Sequence, residues 1–139
     1  MATTLAEKLG IEQHHTILLL DAPRESREHL CRHLPQDTAV TDVLDSRRYD
    51  AIFLWPQTLR GLRELLASLS QRITTSGAIW LVIPQKKYAA SRGMDWGWMQ
   101  MQEVALLTDL VDNRIVSLSA EEYATRFVIR RDRRHHYGE

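Results

Sequence analysis

The sequence predicts an α/β fold in which a mostly parallel sheet, covered by helices on both faces, forms three layers and ends in a C-terminal antiparallel strand pair. Three observations carry this. Short apolar runs alternate with helical patterns through the first two thirds of the chain. Those runs are continuously apolar, as suits strands buried on both faces. Three of the four prolines stand just past such runs, in "LLLDAP", "IFLWP" and "WLVIP". A proline there breaks no ladder hydrogen bond, because the chain is leaving the sheet. A length of 139 residues suits one such domain. The expected division is a single domain over residues 1–131 and a basic tail over 132–139.

The elements follow in order. Thr4 and Glu7 have the spacing of a capping box, and Gly10 stops the short helix between them. Residues 16–20 form the first strand. Pro23 then presets the first turn of a helix that ends before Pro35. Residues 38–44 make a weaker second strand, and "YDAIFLW" over 49–55 a stronger third. Leu59, Leu62, Leu65, Leu66 and Leu69 mark the apolar face of a helix over 58–72. "GAIWLVI" over 77–83 is the fourth strand, and a helix is expected from Asp95 or Gly97 to about Leu110. Residues 113–118 and 124–130 read as the closing antiparallel pair.

Composition excludes several classes. Charge balances at 18 basic against 18 acidic residues, which disfavours a nucleic-acid coat protein or a polybasic membrane anchor. Residues 126–139 are locally net +3. Cys31 stands alone, so no intramolecular disulfide forms. It reads as a small buried apolar residue, with nothing around it to activate a thiolate. No apolar run approaches the roughly 20 residues of a membrane span, and the N-terminus lacks a leader's apolar core. A cytoplasmic location is the expectation. Gly-x-Ser-x-Gly, Walker-type loops and Cys-x-x-Cys pairs do not occur. His29 and His33 have i, i+4 spacing but no placeable third ligand, so no metal site is expected. No catalytic residue and no cofactor is assigned.

Ligands of open α/β sheets bind beyond the carboxyl ends of the strands. The candidate crevice therefore comprises Asp21, Arg24, Asp42, Trp55, Gln57, Gln85, Lys86, Lys87 and Arg92. Asp21 is expected to accept amides at the start of the second helix. Arg24, Lys86, Lys87 and Arg92 are expected to converge on a small anion in preference to a dinucleotide. "SRGMDWGWMQMQ" places Met94, Trp98 and Met101 on one helical stripe with Trp96 beside it. That composition serves either to cover the sheet or to form a lid or partner contact through Met94, Trp96, Trp98 and Met101. The tail "RRDRRHHYGE" is read as a strand exit and a frayed end, with a phosphate-binding arm as the alternative.

The segments "TLAEKLGI", "ILLLDAP", "YDAIFLW", "GAIWLVIPQKK" with Ser91 and Asp95, and "DLVDNRIVSL" with "ATRFVIRR" occur in that order. On these residues the chain resembles a small bacterial domain-of-unknown-function family. Its members look like trimmed relatives of the Rossmann-like S-adenosylmethionine-dependent methyltransferases. The resemblance spans nearly all of the chain before the basic tail, and implies a three-layer Rossmann-like sandwich without supplying a catalytic residue. The family usually has Pro-Lys-Lys after the fourth strand and a Trp-Ser step before the last. This chain has Pro84-Gln85-Lys86-Lys87 and Tyr123-Ala124.

Methyl transfer from an adenosyl cofactor requires close backbone approach after the first strand, which glycines permit, and an acidic residue about 20 positions on. Asp21, Ala22 and Pro23 occupy the first position; Asp42, 21 residues after Asp21, could serve as the second. The chain has no room between its second strand and "YDAIFLW" for the helix and strand a full methyltransferase carries there. The leading expectation is a non-catalytic binding or regulatory protein acting on a small anionic ligand or a protein partner. Its alternatives are a methyltransferase-like enzyme and a nucleic-acid accessory protein using the arginine tail.

Overall fold

The computed structural model describes residues 3–137. Helix α1 (Leu5–Leu9) begins at the expected capping box, with Thr4 and Glu7 bonding each other's backbone amides at 3.1 Å. It ends at Gly10, whose φ of 71° is a left-handed value that glycine adopts without strain. Strand β1 (Thr16–Leu20) leads to α2 (Arg24–Arg32), β2 (Ala39–Thr41) and β3 (Tyr49–Leu54). Then come α3 (Leu62–Leu69), β4 (Ile73–Pro84), α4 (Lys86–Ala89), α5 (Trp98–Ala105), β5 (Leu110–Ser117) and β6 (Glu122–Ile129).

The six strands form one sheet in the order β2-β1-β3-β4-β6-β5. β1 to β4 are parallel, and β6 runs antiparallel to both of its neighbours, β4 and β5. The expected mostly parallel sheet with a closing antiparallel pair is therefore present. β2 is an edge strand because the chain passes directly from it to β3, with no further helix and strand between.

Alternation along the strands supplies two cores. Leu18, Ile52, Leu54, Ile79 and Leu81 face Leu62, Leu66 and Leu69 of α3 and Met101 of α5. Ile17, Leu19, Phe53, Trp80 and Val82 face Leu9 of α1 and Leu30 of α2. Full burial of each such side chain contributes about 1.5–3 kcal/mol, which ties both helical layers to the sheet.

Several boundaries differ from expectation: β2 shortens to Ala39–Thr41, α5 ends at Ala105, and β5 and β6 begin earlier, at Leu110 and Glu122. α3 starts at Leu62 and not near residue 58, because Gly61 takes a left-handed φ of 76°. β4 begins four residues early, and its register against β3 slips between Tyr49↔Ile73 and Ala51↔Ala78, so Thr74–Gly77 bulge. The polar "QKKYAASR" segment, lacking an apolar period, contains α4 and a 3-10 turn over Ala90–Arg92. The tail, expected to fray, instead forms a 3-10 helix over Arg131–His136. Tyr137 packs on the core, and its hydroxyl donates to Asp109 Oδ2 at 2.7 Å. Residues 138 and 139 of that tail lie outside the described residues. Among the described residues no helix is long and apolar enough to cross a membrane.

Candidate functional site

The turn after β1 is closed without glycine. Asp21 sits exposed at φ 59°, a left-handed value that aspartate tolerates through its short polar side chain. Pro23 is the residue that caps α2, and no side-chain hydrogen bond caps that helix. Asp21 thus does not take the capping role expected of it: its carboxylate stands two residues before the cap, short of the N2 and N3 amides that a cap side chain reaches. Asp42 is engaged by Arg27, whose Nη1 lies 2.9 Å from its Oδ2. The cavity beside Asp21, Pro56 and Gln57 measures about 160 Å³, below the roughly 300–1,000 Å³ of ordinary small-molecule sites.

A second group of candidates converges on a residue the sequence reading missed. Glu122, at the start of β6, has a side chain only 5% exposed. Its Oε1 accepts from Ser26 Oγ at 2.7 Å and from the buried Trp55 indole at 3.4 Å, and its Oε2 pairs with Arg92 Nη1 at 2.7 Å. Arg92 also reaches Glu121 Oε1 at 3.3 Å. Burial opposes the Arg92 charge, but hydrogen bonding and attraction to Glu122, then Glu121, outweigh it and hold its pKa above the usual guanidinium value. The network closes the space between α2 and the β5–β6 turn around a polar cavity of about 340 Å³. His29 Nε2 lies 2.7 Å from Leu118 O there, and His33 Nδ1 bonds to His29 O at 2.9 Å. Those bonds engage a ring nitrogen of each histidine with a backbone carbonyl.

The expected convergence of four cations does not occur. Arg24 is 92% exposed and pairs with Glu28 at 2.9 Å, while Arg92 is committed to Glu122. Lys87 Nζ stands 5.3 Å from the centre of the Tyr88 ring, and the Gln85 amide donates to Glu121 O at 2.6 Å. Arg24 and Lys87 find nearer partners on their own segments, and Arg92 finds its partner on β6. Lys86 lines a third cavity of about 610 Å³ beyond the carboxyl end of β4.

That third cavity is aromatic. Met94, Trp96, Trp98, Met99 and Tyr123 wall it over Ile83 and Pro84. Trp98 opens α5 and is held by its indole N–H, which donates to the buried Thr125 hydroxyl at 2.8 Å. Burial pushes the Tyr123 hydroxyl pKa up, so it stays a neutral donor and acceptor. Met101, grouped with Met94, Trp96 and Trp98 as a contact residue, is 0% exposed and belongs to the core under α5. Met99 at 69% exposure is the outward methionine. Helical spacing holds for Trp98 and Met101, whereas Met94 precedes α5 and lies outside the helix.

No family model matches the sequence, and no curated protein matches it significantly. Solved structures do match. The TehB-like SAM-dependent methyltransferase of Corynebacterium glutamicum aligns over 88% of this chain and 84% of its own, at 14% identity and a TM-score of 0.55. A SAM-dependent methyltransferase from Aquifex aeolicus covers 91% and 90%, at 12% identity and a TM-score of 0.60. The N-methyltransferase NodS from Bradyrhizobium japonicum, in complex with S-adenosyl-L-homocysteine, covers 90% and 83%, at 10% identity and a TM-score of 0.60. At such identities the likeness establishes the fold. The chain has the Rossmann-like fold of SAM-dependent methyltransferases, as its resemblance implied.

Proposed function

We propose that this chain is a small-molecule-binding protein on a methyltransferase-like scaffold, with its ligand in the aromatic cavity beyond β4. The observation that carries this is the contrast along one sheet edge. Where an adenosyl cofactor would approach, the turn has Asp21 and Pro23 in place of glycines, Asp42 is paired with Arg27, and the space is about 160 Å³. Beyond β4 the space is about 610 Å³ and lined by rigid aromatic and adaptable methionine side chains. The residues at the first position do not fit the cofactor, so no methyl-transfer step is derived. The occupant of the second is a compact apolar or planar molecule, with Lys86 and Asp95 at the wall to orient a polar group.

Methyl transfer is the second reading, and the fold likeness favours it over a purely non-catalytic role. Calorimetry with S-adenosylmethionine and S-adenosylhomocysteine separates the two. The first reading expects no saturable heat below millimolar concentration. Micromolar affinity for either compound overturns it and installs the enzyme reading.

A further inference from the structure

At the opposite end of the sheet, two arginines stand across from each other with no ion-pair partner among the described residues. Arg114 in β5 and Arg126 in β6 are direct cross-strand partners, immediately past the register shift at Asn113. Like charges in that position repel. Neither forms an ion pair among the described residues. Each guanidinium has five N–H donors. One of Arg114's reaches Lys8 O in the last turn of α1 at 2.9 Å, and one of Arg126's reaches Asn113 Oδ1 at 3.3 Å.

The pair lines a cavity of about 260 Å³ bounded by Gly10, His15, Asp50, Ser76 and Trp80. Arg126 shares its strand face with Ala124 and Val128, both packed in the core, so its charge is partly buried. The one carboxylate in the wall is occupied elsewhere: Asp50 Oδ2 accepts the Thr16 amide at 2.8 Å, and its Oδ1 lies 3.5 Å from the Thr74 hydroxyl. His15 Nδ1 accepts the Glu12 amide at 3.1 Å, which leaves the neutral ring's proton on the other nitrogen. Burial, then the charge of Arg114, lowers the Arg126 pKa below the usual guanidinium value.

We propose that this cavity binds an oxyanion, a phosphate group either free or carried on a small molecule, between the Arg114 and Arg126 guanidinium groups. Paired arginine forks match the geometry of phosphate oxygens and supply the missing negative charge. The space exceeds one water's share of about 30 Å³ several times over, which leaves room for a small organic group.

The test is thermal unfolding at constant ionic strength, exchanging chloride for inorganic phosphate or for glycerol 3-phosphate up to 10 mM, with backbone amide shifts followed in parallel. A saturable Tm rise of about 4 °C is expected for a millimolar site, with shifts at Gly10, His15, Ser76 and Arg126. Arg126→Gln is expected to lose the rise while being at least as stable as the parent in chloride, because one of two repelling charges is gone. Arg114→Gln, whose side chain is the more exposed, repeats the measurement if the first variant does not fold. A response to glycerol 3-phosphate alone assigns an organic monoester, and equal responses assign free phosphate. Absence of a saturable rise with both probes, or a rise retained in the arginine variants, overturns the proposal.

Discussion

The two ends of the parallel strands treat charge in opposite ways. At the carboxyl end, where this fold class holds its ligands, the arginines are matched within the chain: Arg27 with Asp42, Arg24 with Glu28, and Arg92 with Glu121 and the buried Glu122. At the amino end, Arg114 and Arg126 face each other with no ion pair among the described residues, and the one carboxylate of their cavity, Asp50, bonds to Thr16. A paired arginine has little electrostatic demand for a ligand, whereas two arginines facing each other have more. The proposed anion site therefore rests on charge pairing and not on the scaffold.

The largest expected effect breaks the closed end. Glu122→Ala leaves Arg92 without its buried partner and the Trp55 indole and Ser26 hydroxyl without their acceptor. A loss of about 3 kcal/mol in urea unfolding is expected. A loss below about 1 kcal/mol would show that the network is solvated, and the contrast between the two ends would collapse.

Next comes the floor of the open end. A Cβ on Gly77 would stand 2.9 Å from Thr74 Oγ1 and 3.0 Å from both Thr74 N and Tyr49 O. Two of these are backbone atoms that cannot swing aside, so Gly77→Ala should cost about 2 kcal/mol. It should also shift the amide of Ser76 in the cavity wall, which heteronuclear NMR would detect.

A smaller effect is confined to alkaline pH. Burial, then the bond to Asp109, pushes the Tyr137 pKa up to about 12 from its ordinary 10. The folded chain thus holds this proton more tightly than the unfolded chain. Its contribution is complete below about pH 10 and is lost as pH rises toward 12. Tyr137→Phe should flatten the stability profile across that window relative to the parent, as read from Tm at each pH.

The smallest expected effect is Arg27→Ala, since its pair with Asp42 is exposed at 41% and 59%. A cost below about 1 kcal/mol, fading with added salt, is expected. Micromolar S-adenosylhomocysteine binding in this variant, with none in the parent, would show that pairing rather than backbone shape closes the carboxyl end.

The amino-acid order by itself determined the strands and the layers. Runs such as Ile17–Leu20 and Ile52–Leu54 are apolar at every position, and only a sheet covered on both faces buries every one of them. Thr4, Glu7 and Gly10 announced α1 because capping depends on residues three to six apart. The carboxyl edge was legible as a place to look because the strand ends follow from the same apolar runs. The partners its side chains take were not. Glu121 and Glu122 are adjacent and chemically alike, and strand alternation makes one of them a buried anchor only once the register of β6 on β4 is set. Thr74–Ser76 are polar and belong to β4 only as a bulge between the Tyr49↔Ile73 and Ala51↔Ala78 pairs. Arg114 and Arg126 lie 12 residues apart and became a pair through a one-residue bulge in β5. Local sequence reports what each segment buries; which charges meet depends on long-range register, and the tertiary structure alone decides that.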